Sequence, residues 1–312
     1  MDDKQDVYAR ITNKIIADLE GGVLTWVKPW QTIRHAAGEI TRPLRASGEK
    51  YRGINILILW ATALDKWYIS PIWLTLQQGN KLGAHVKKGE KSTHVFFFDK
   101  FKKTEVDKET GEAAVKEIFF GRTYAVFNGE QFVGLPGHFT ATVEPVRLTP
   151  IERDAACDAF FANAGAVIRH GGNRAFYRRS DDFIQLPNPE QFQATEKYYG
   201  TKAHEFIHWT AHDSRLAREF GEKFGDEKYA KEELVAEIGA AFLCADLALT
   251  PEPGADHAAY VASWLKSLKD DKRLIFSAAA QAQKATDFLH RLQPARPEFQ
   301  QAANLLTPEA TA

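Results

Sequence analysis

Apolar residues recur at four-residue steps at Val7, Ile11, Ile15 and Leu19, which predicts an amphipathic helix over residues 5–20, stopped by Gly21-Gly22. Residues 53–64 (GINILILWATAL) are apolar nearly all round, so this helix is expected inside a core. Ser70-Pro71 predicts an N-cap and first-turn proline for a helix ending near Gly83. Thr93–Phe98 and Ile118–Phe127 read as strands, with Trp60 and Phe96–Phe98 in the core. The mixed-charge stretch 100–117 between them reads as a long solvated hairpin. From Gly134 to Pro150 the chain is rich in Gly, Pro and Thr without periodicity, the pattern of a linker.

Beyond it, Thr149-Pro150 opens a helix to about Asn163, and Ala166–His170 and Ala175–Leu186 alternate as strands around Gly171-Gly172 and Ser180-Asp181-Asp182 turns. Asn188-Pro189 opens a helical region, followed by helices over about 228–249, 255–268 and 271–291 and a Pro/Gln/Ala-rich tail. Strands and helices that segregate in this way predict an α+β protein of two domains: residues 1–138, a linker over 139–150, residues 151–292, and a flexible tail over 293–312.

Composition narrows the function classes. No stretch approaches the ~18–20 apolar residues of a bilayer span, and the start MDDKQDVYAR resembles no signal or transit peptide, so a cytoplasmic protein without a membrane partner is expected. Cys157 and Cys244 lack metal spacing and read as reduced core thiols. The net charge of −1 conceals a local excess: residues 28–91 hold 11 Lys/Arg against 4 Asp/Glu. A basic segment on a near-neutral chain points to a localised polyanion site.

The sharpest chemistry is His204-Glu205-x-x-His208. Imidazoles four apart share one face of a helix, a spacing suited to a single Zn²⁺, and Glu205 falls one step round as base for a water whose pKa zinc lowers. Downstream, Leu234, Ile238, Ala241, Phe242 and Ala245 form an apolar stripe with Glu233 and Glu237 beside it. Carboxylates on so apolar a helix need compensation, and a cation supplies it. Glu233 is assigned as third ligand and Glu237 as acceptor from a ligand imidazole, with the exchange of these roles left open. Zn²⁺ is the expected cofactor and Mn²⁺ is possible. His212 and Tyr229 read either as transition-state donors or as a capped helix-end histidine and a packing tyrosine. The strand ending at Phe183–Leu186 stands where zincins have the edge strand that docks extended peptide.

Single-stranded nucleic acid is held by a basic groove with aromatic faces for the bases. Residues 26–91 offer Trp26, Trp30, Tyr51 and Trp73 among Lys28, Arg42, Arg45, Arg52, Lys87, Lys88 and Lys91. YRGIN (51–55), SPIWLT (70–75), VKKGEKST (86–93) and YAVFNGEQ (124–131), approached through LEGG…WVKPW (19–30), closely resemble the N-terminal domain of the ArdC family of plasmid antirestriction proteins, shared with TraC-type conjugative primases. The likeness continues in HEFIHWTAHDSRLAR (204–218), YAKEELVAEIGAAFL (229–243) and the region near 268–280. The resemblance implies an N-terminal domain that binds single-stranded DNA, a C-terminal SprT-like metalloprotease domain, and protection of incoming plasmid DNA from host restriction. A zinc metallopeptidase tethered to DNA, acting on a protein or peptide, competes with a DNA-coating protein whose metal site is structural or vestigial. A two-metal nuclease fares worse, because no Asp/Glu cluster for two hard cations is present.

Overall fold

The structure is a computed structural model that describes residues 7–23, 41–106, 113–140, 150–219, 227–249 and 257–294. Helices α1 (Val7–Glu20) and α2 (Ile54–Lys66) form where the apolar periodicity predicts them. A four-stranded sheet follows the order β1-β2-β5-β4, with β1 (Leu44–Arg45) parallel to β2 (Ile72–Leu74) and β4 (Thr93–Val106) antiparallel to β5 (Ala113–Asn128). Helix α3 (Leu76–Lys81) leads into β3 (His85–Val86), which pairs with β6 (Phe132–Val133).

Three expectations need correction here. Ser70-Pro71 opens strand β2, not a helix, because Trp73 and Leu74 are drawn into the interior while the Ser70 hydroxyl donates to the Phe139 carbonyl at 2.7 Å. The helix instead begins after Thr75, whose side chain and that of Gln78 form a reciprocal capping box. The hairpin expected over 100–117 is present, as a ladder that extends both strands: β4 and β5 pair antiparallel in continuous register from Thr93 and Val126 to Val106 and Ala113. Phe97, expected in the core, is 41% exposed, in an edge-on pair with Tyr124. Of the expected linker, Phe139 is buried in a small core with Ile72, Leu74, Ala84 and Phe132, and residues 141–149 lie outside the described residues.

The second half contains α4 (Pro150–Asn163), the sheet β7 (Val167–His170), β8 (Phe176–Arg178) and β9 (Phe183–Leu186), and helices α5 (Thr195–Trp209), α6 (Glu227–Asp246), α7 (His257–Asp270) and α8 (Leu274–Arg291). The strand order is β7-β9-β8, so Phe183–Leu186 is the central strand and not the edge expected of it. Its near-continuous apolar run suits a strand covered on both faces: Phe183, Ile184 and Leu186 are all buried.

One hydrophobic core runs through both halves, joining Ile15 and Trp60 to Phe242, Trp264 and Ile275. Trp60 meets Phe242 edge-on with centroids 6.0 Å apart, and Phe96 meets Phe276 at 5.6 Å. Thr12 of α1 caps this junction by donating to the Lys272 carbonyl at 2.6 Å. Both cysteines are free and buried. No helix among the described residues is long and apolar enough to cross a membrane.

Candidate metal centre

Helix α5 is anchored by Phe206 and Ile207, both fully buried, so its register is fixed and the imidazoles of His204 and His208 point together toward α6. Helix α6 can approach because Gly239 has no side chain: a Cβ there would lie 2.8 Å from the Ile207 side chain. The two Nε2 atoms stand 3.1 Å apart, and the Glu233 carboxylate is 3.5 Å from that of His204 and 3.4 Å from that of His208. A tetrahedral centre with bonds of ~2.0–2.1 Å has its donor atoms roughly 3.3 Å apart. The donor set therefore fits a divalent cation in type and in spacing. Among the described residues, His204, His208 and Glu233 form the one group with that convergence.

Around these three, each imidazole directs its other nitrogen to a different carboxylate. His204 Nδ1 lies 3.5 Å from Glu237 Oε1, and His208 Nδ1 lies 3.3 Å from Glu232 Oε1. Such contacts fix ring orientation and present Nε2 to the centre. Glu232 is itself clamped by Arg218, whose Nε and Nη2 donate to its two oxygens at 3.0 and 2.7 Å, while Nη1 donates to Thr210 and Nη2 also to the Ile207 carbonyl. Arg215 performs a related task, stacking on Trp209 at 3.9 Å and bonding the Trp209 carbonyl, Asp182 and the Tyr177 hydroxyl.

Electrostatics follow from this packing. Burial opposes charge on His208, yet Glu233 and Glu232 outweigh it and push the imidazole up to about 10. His204 is raised likewise: burial lowers it, and Glu233 and Glu237 more than compensate. Glu233 is depressed, the two histidines overcoming its desolvation. Burial raises Glu205, and it raises Glu237 to about 7. The cluster demands positive charge at its centre, supplied by protons on the imidazoles or by a cation that replaces them. Glu205 is buried beside the rings, on the helix against which β8 packs.

Glu232, Arg218 and Arg215 were not singled out from the sequence. Arg215 and Arg218 sit in the turn after α5, where Ala217 adopts a left-handed φ of 46°. No helical period relates them to the motif, and only the folded turn brings them back. His212 Nδ1 lies 2.8 Å from the Ser214 hydroxyl and accepts the Ser214 backbone N–H at 3.2 Å. Tyr229 bonds Tyr260 at 3.3 Å and also reaches Glu233.

The expected DNA-binding set is divided by the structure. Arg42 is buried, bonding Asp246 at 2.6 Å and Gln283 at 3.1 Å, with its guanidinium over Phe242. It cannot meet a phosphate, because it holds the two halves together. Tyr51 and Trp73 are core residues, the latter 1% exposed, so neither offers a face to a base. Arg45 pairs with Glu49 and lies over the Tyr51 ring, and Arg52 pairs with Asp287. Lys87, Lys88 and Lys91 are exposed on one loop. Trp26, Lys28 and Trp30 lie outside the described residues.

Comparison with known proteins gives two matching family models: residues 5–127 match the N-terminal domain of the anti-restriction factor ArdC, and residues 155–281 a zincin-like metallopeptidase. The protein y4eC of Sinorhizobium fredii is 39% identical, with 92% of each chain covered. DNA primase TraC of Escherichia coli is 37% identical over 92% of this chain, which spans only 27% of that relative. The metal-free crystal structure of the antirestriction ArdC protein from plasmid R388 superposes with a TM-score of 0.75 at 45% identity, covering 92% of this chain and 97% of that one. Its Mn(II)-bound form gives 0.72 at 42% identity, covering 92% and 98%.

Proposed function

The chain belongs to the ArdC family of antirestriction proteins and carries a zincin-like domain, and from that premise we propose that it binds single-stranded DNA and performs peptidase-type hydrolysis at His204, His208 and Glu233. The observation that carries this reading is the convergence of two Nε2 atoms and one carboxylate within 4.8 Å of one another, with a buried glutamate alongside. The cation is zinc, with manganese as the alternative that the R388 relative supports. A divalent ion in such a position polarises a carbonyl and lowers the pKa of water.

The chain's own groups supply the rest. Glu205, its carboxyl raised by burial, is placed to hold the proton released by the attacking water and to pass it to the departing amine. Since β9 is flanked on both sides, an extended peptide would add along the outer strand β8, which packs against the helix that carries Glu205. In this reading the protein works in the cytoplasm, shielding incoming plasmid DNA from restriction, with a protein met on that DNA as substrate.

The test pairs metal analysis with Glu205→Gln. The variant is expected to fold, keep its metal and bind single-stranded DNA, yet lose antirestriction. Full protection by the variant would mean that coating DNA suffices and that the metal site is structural.

A further inference from the structure

With Tyr51 and Trp73 buried, the described basic loop lacks the aromatic partner expected for it, and the structure supplies another. Trp67 closes α2 as its C-cap residue and is 62% exposed. Its backbone is left-handed, with φ 59° and ψ 32°, and its N–H donates to the carbonyls of Ala63 and Leu64. Glycine or asparagine is the usual occupant of that position, because a side chain there meets the backbone. A bulky ring in this conformation is an outlier, and packing does not explain it since most of the ring's surface faces solvent.

The segment that carries Trp67 is tied to the lysine loop at two points. The Tyr68 hydroxyl donates to Glu90 at 3.4 Å, and Glu90 stands between Lys88 and Lys91. The backbone N–H groups of Ile69 and Ser70 donate to the Glu130 carboxylate, while Lys87 Nζ donates to the Glu130 carbonyl at 2.6 Å. Both local carboxylates are thus occupied by hydrogen bonds to the scaffold. Lys88 and Lys91 are exposed and make no ion pair with another described residue. The residues that follow an exposed indole are thus fastened to the loop that carries three exposed ammonium groups.

We propose that Trp67 is a base-stacking residue of a single-stranded DNA site whose phosphate-contacting edge is Lys87, Lys88 and Lys91. The inference rests on the DNA-binding reading above and gives it a place. Indole faces accept any base, and lysines read only backbone charge, so the site is one that tolerates sequence and prefers unpaired strands.

Trp67→Gly separates stacking from structure, because glycine suits the left-handed cap. Its melting temperature is expected at or above that of the wild type, while affinity for an oligothymidylate falls about 5- to 150-fold. Its salt dependence should stay unchanged. Lys88→Ala and Lys91→Ala should each reduce the slope of log affinity against log salt by about 0.7. An abasic oligonucleotide should bind wild type and Trp67→Gly equally, and Trp67→Phe should retain most of the affinity. Equal binding of oligothymidylate by wild type and Trp67→Gly overturns the proposal, as does an equal loss on the abasic strand or in Trp67→Phe. Failure of the wild-type protein to bind single strands at all would instead remove the DNA-binding reading itself.

Discussion

Glu233 and Asp246 lie on the same helix, and each carries a carboxylate into the interior. At Asp246 the innermost compensation is permanent, the Arg42 guanidinium at 2.6 Å; on the outer side lie the Lys50 ammonium at 2.7 Å and the His290 ring at 2.9 Å. At Glu233 the facing groups include the two imidazoles, whose protons can be exchanged for a metal ion. Glu232, one residue earlier, is again closed by an arginine. A fixed cation, Arg218, therefore holds the frame beside the centre and another, Arg42, holds the far end of the helix, while the position between His204, His208 and Glu233 faces exchangeable charge. A buried charge with a guanidinium partner belongs to architecture, and one that faces imidazoles is available for chemistry.

The largest effect expected from breaking this contrast is on stability. Arg42→Ala leaves Asp246 with its innermost partner gone, in a site where its side chain is 3% exposed. Removing one member of a buried pair typically costs about 3–5 kcal/mol. Denaturant unfolding should show that loss, and adding Asp246→Asn should recover part of it. A change under about 1 kcal/mol would mean that Lys50 and His290 alone satisfy the carboxylate.

A smaller effect is expected on the exchangeable side. Glu232→Gln keeps the shape but weakens the hold on His208 Nδ1 and on Arg218. Outer partners of metal-bound histidines are worth roughly 10- to 100-fold in metal affinity. Competition with a chelator should show a decrease in that range with the fold intact. Unchanged affinity would mean that the α5–α6 packing alone orients the ring.

This contrast was only half legible in the sequence. The helical spacing of His204 and His208, and the carboxylates on an apolar helix, are short-range patterns, and helix geometry converts them directly into the convergence observed. Arg42, Tyr51 and Trp73 failed as surface residues because local polarity does not reveal what packs from elsewhere. Arg42 finds Asp246 and Trp73 enters a sheet through pairings remote in sequence. Trp67 was passed over for the same reason. In sequence it lies just past a buried helix, and only the folded chain, with the residue 62% exposed at a left-handed cap, shows that it faces outward.

The smallest effect is expected from acid. Burial tends to raise the Asp246 carboxyl, but His290, Arg42 and Lys50 outweigh it and hold the group below the usual carboxylate range. A carboxyl depressed in the folded state contributes stability that is complete above its unfolded pKa, ~3.9, and that is lost as pH falls through the lower folded value. Asp246 should therefore add nothing to the pH dependence of unfolding between pH 7 and 5. Below about pH 4 it should contribute a slope of no more than about 1.4 kcal/mol per pH unit. Comparing wild type with Asp246→Asn isolates that slope. If the two acid limbs coincide, the carboxylate is not held by its cations in solution, and the distinction between fixed and exchangeable charge on α6 loses its fixed half.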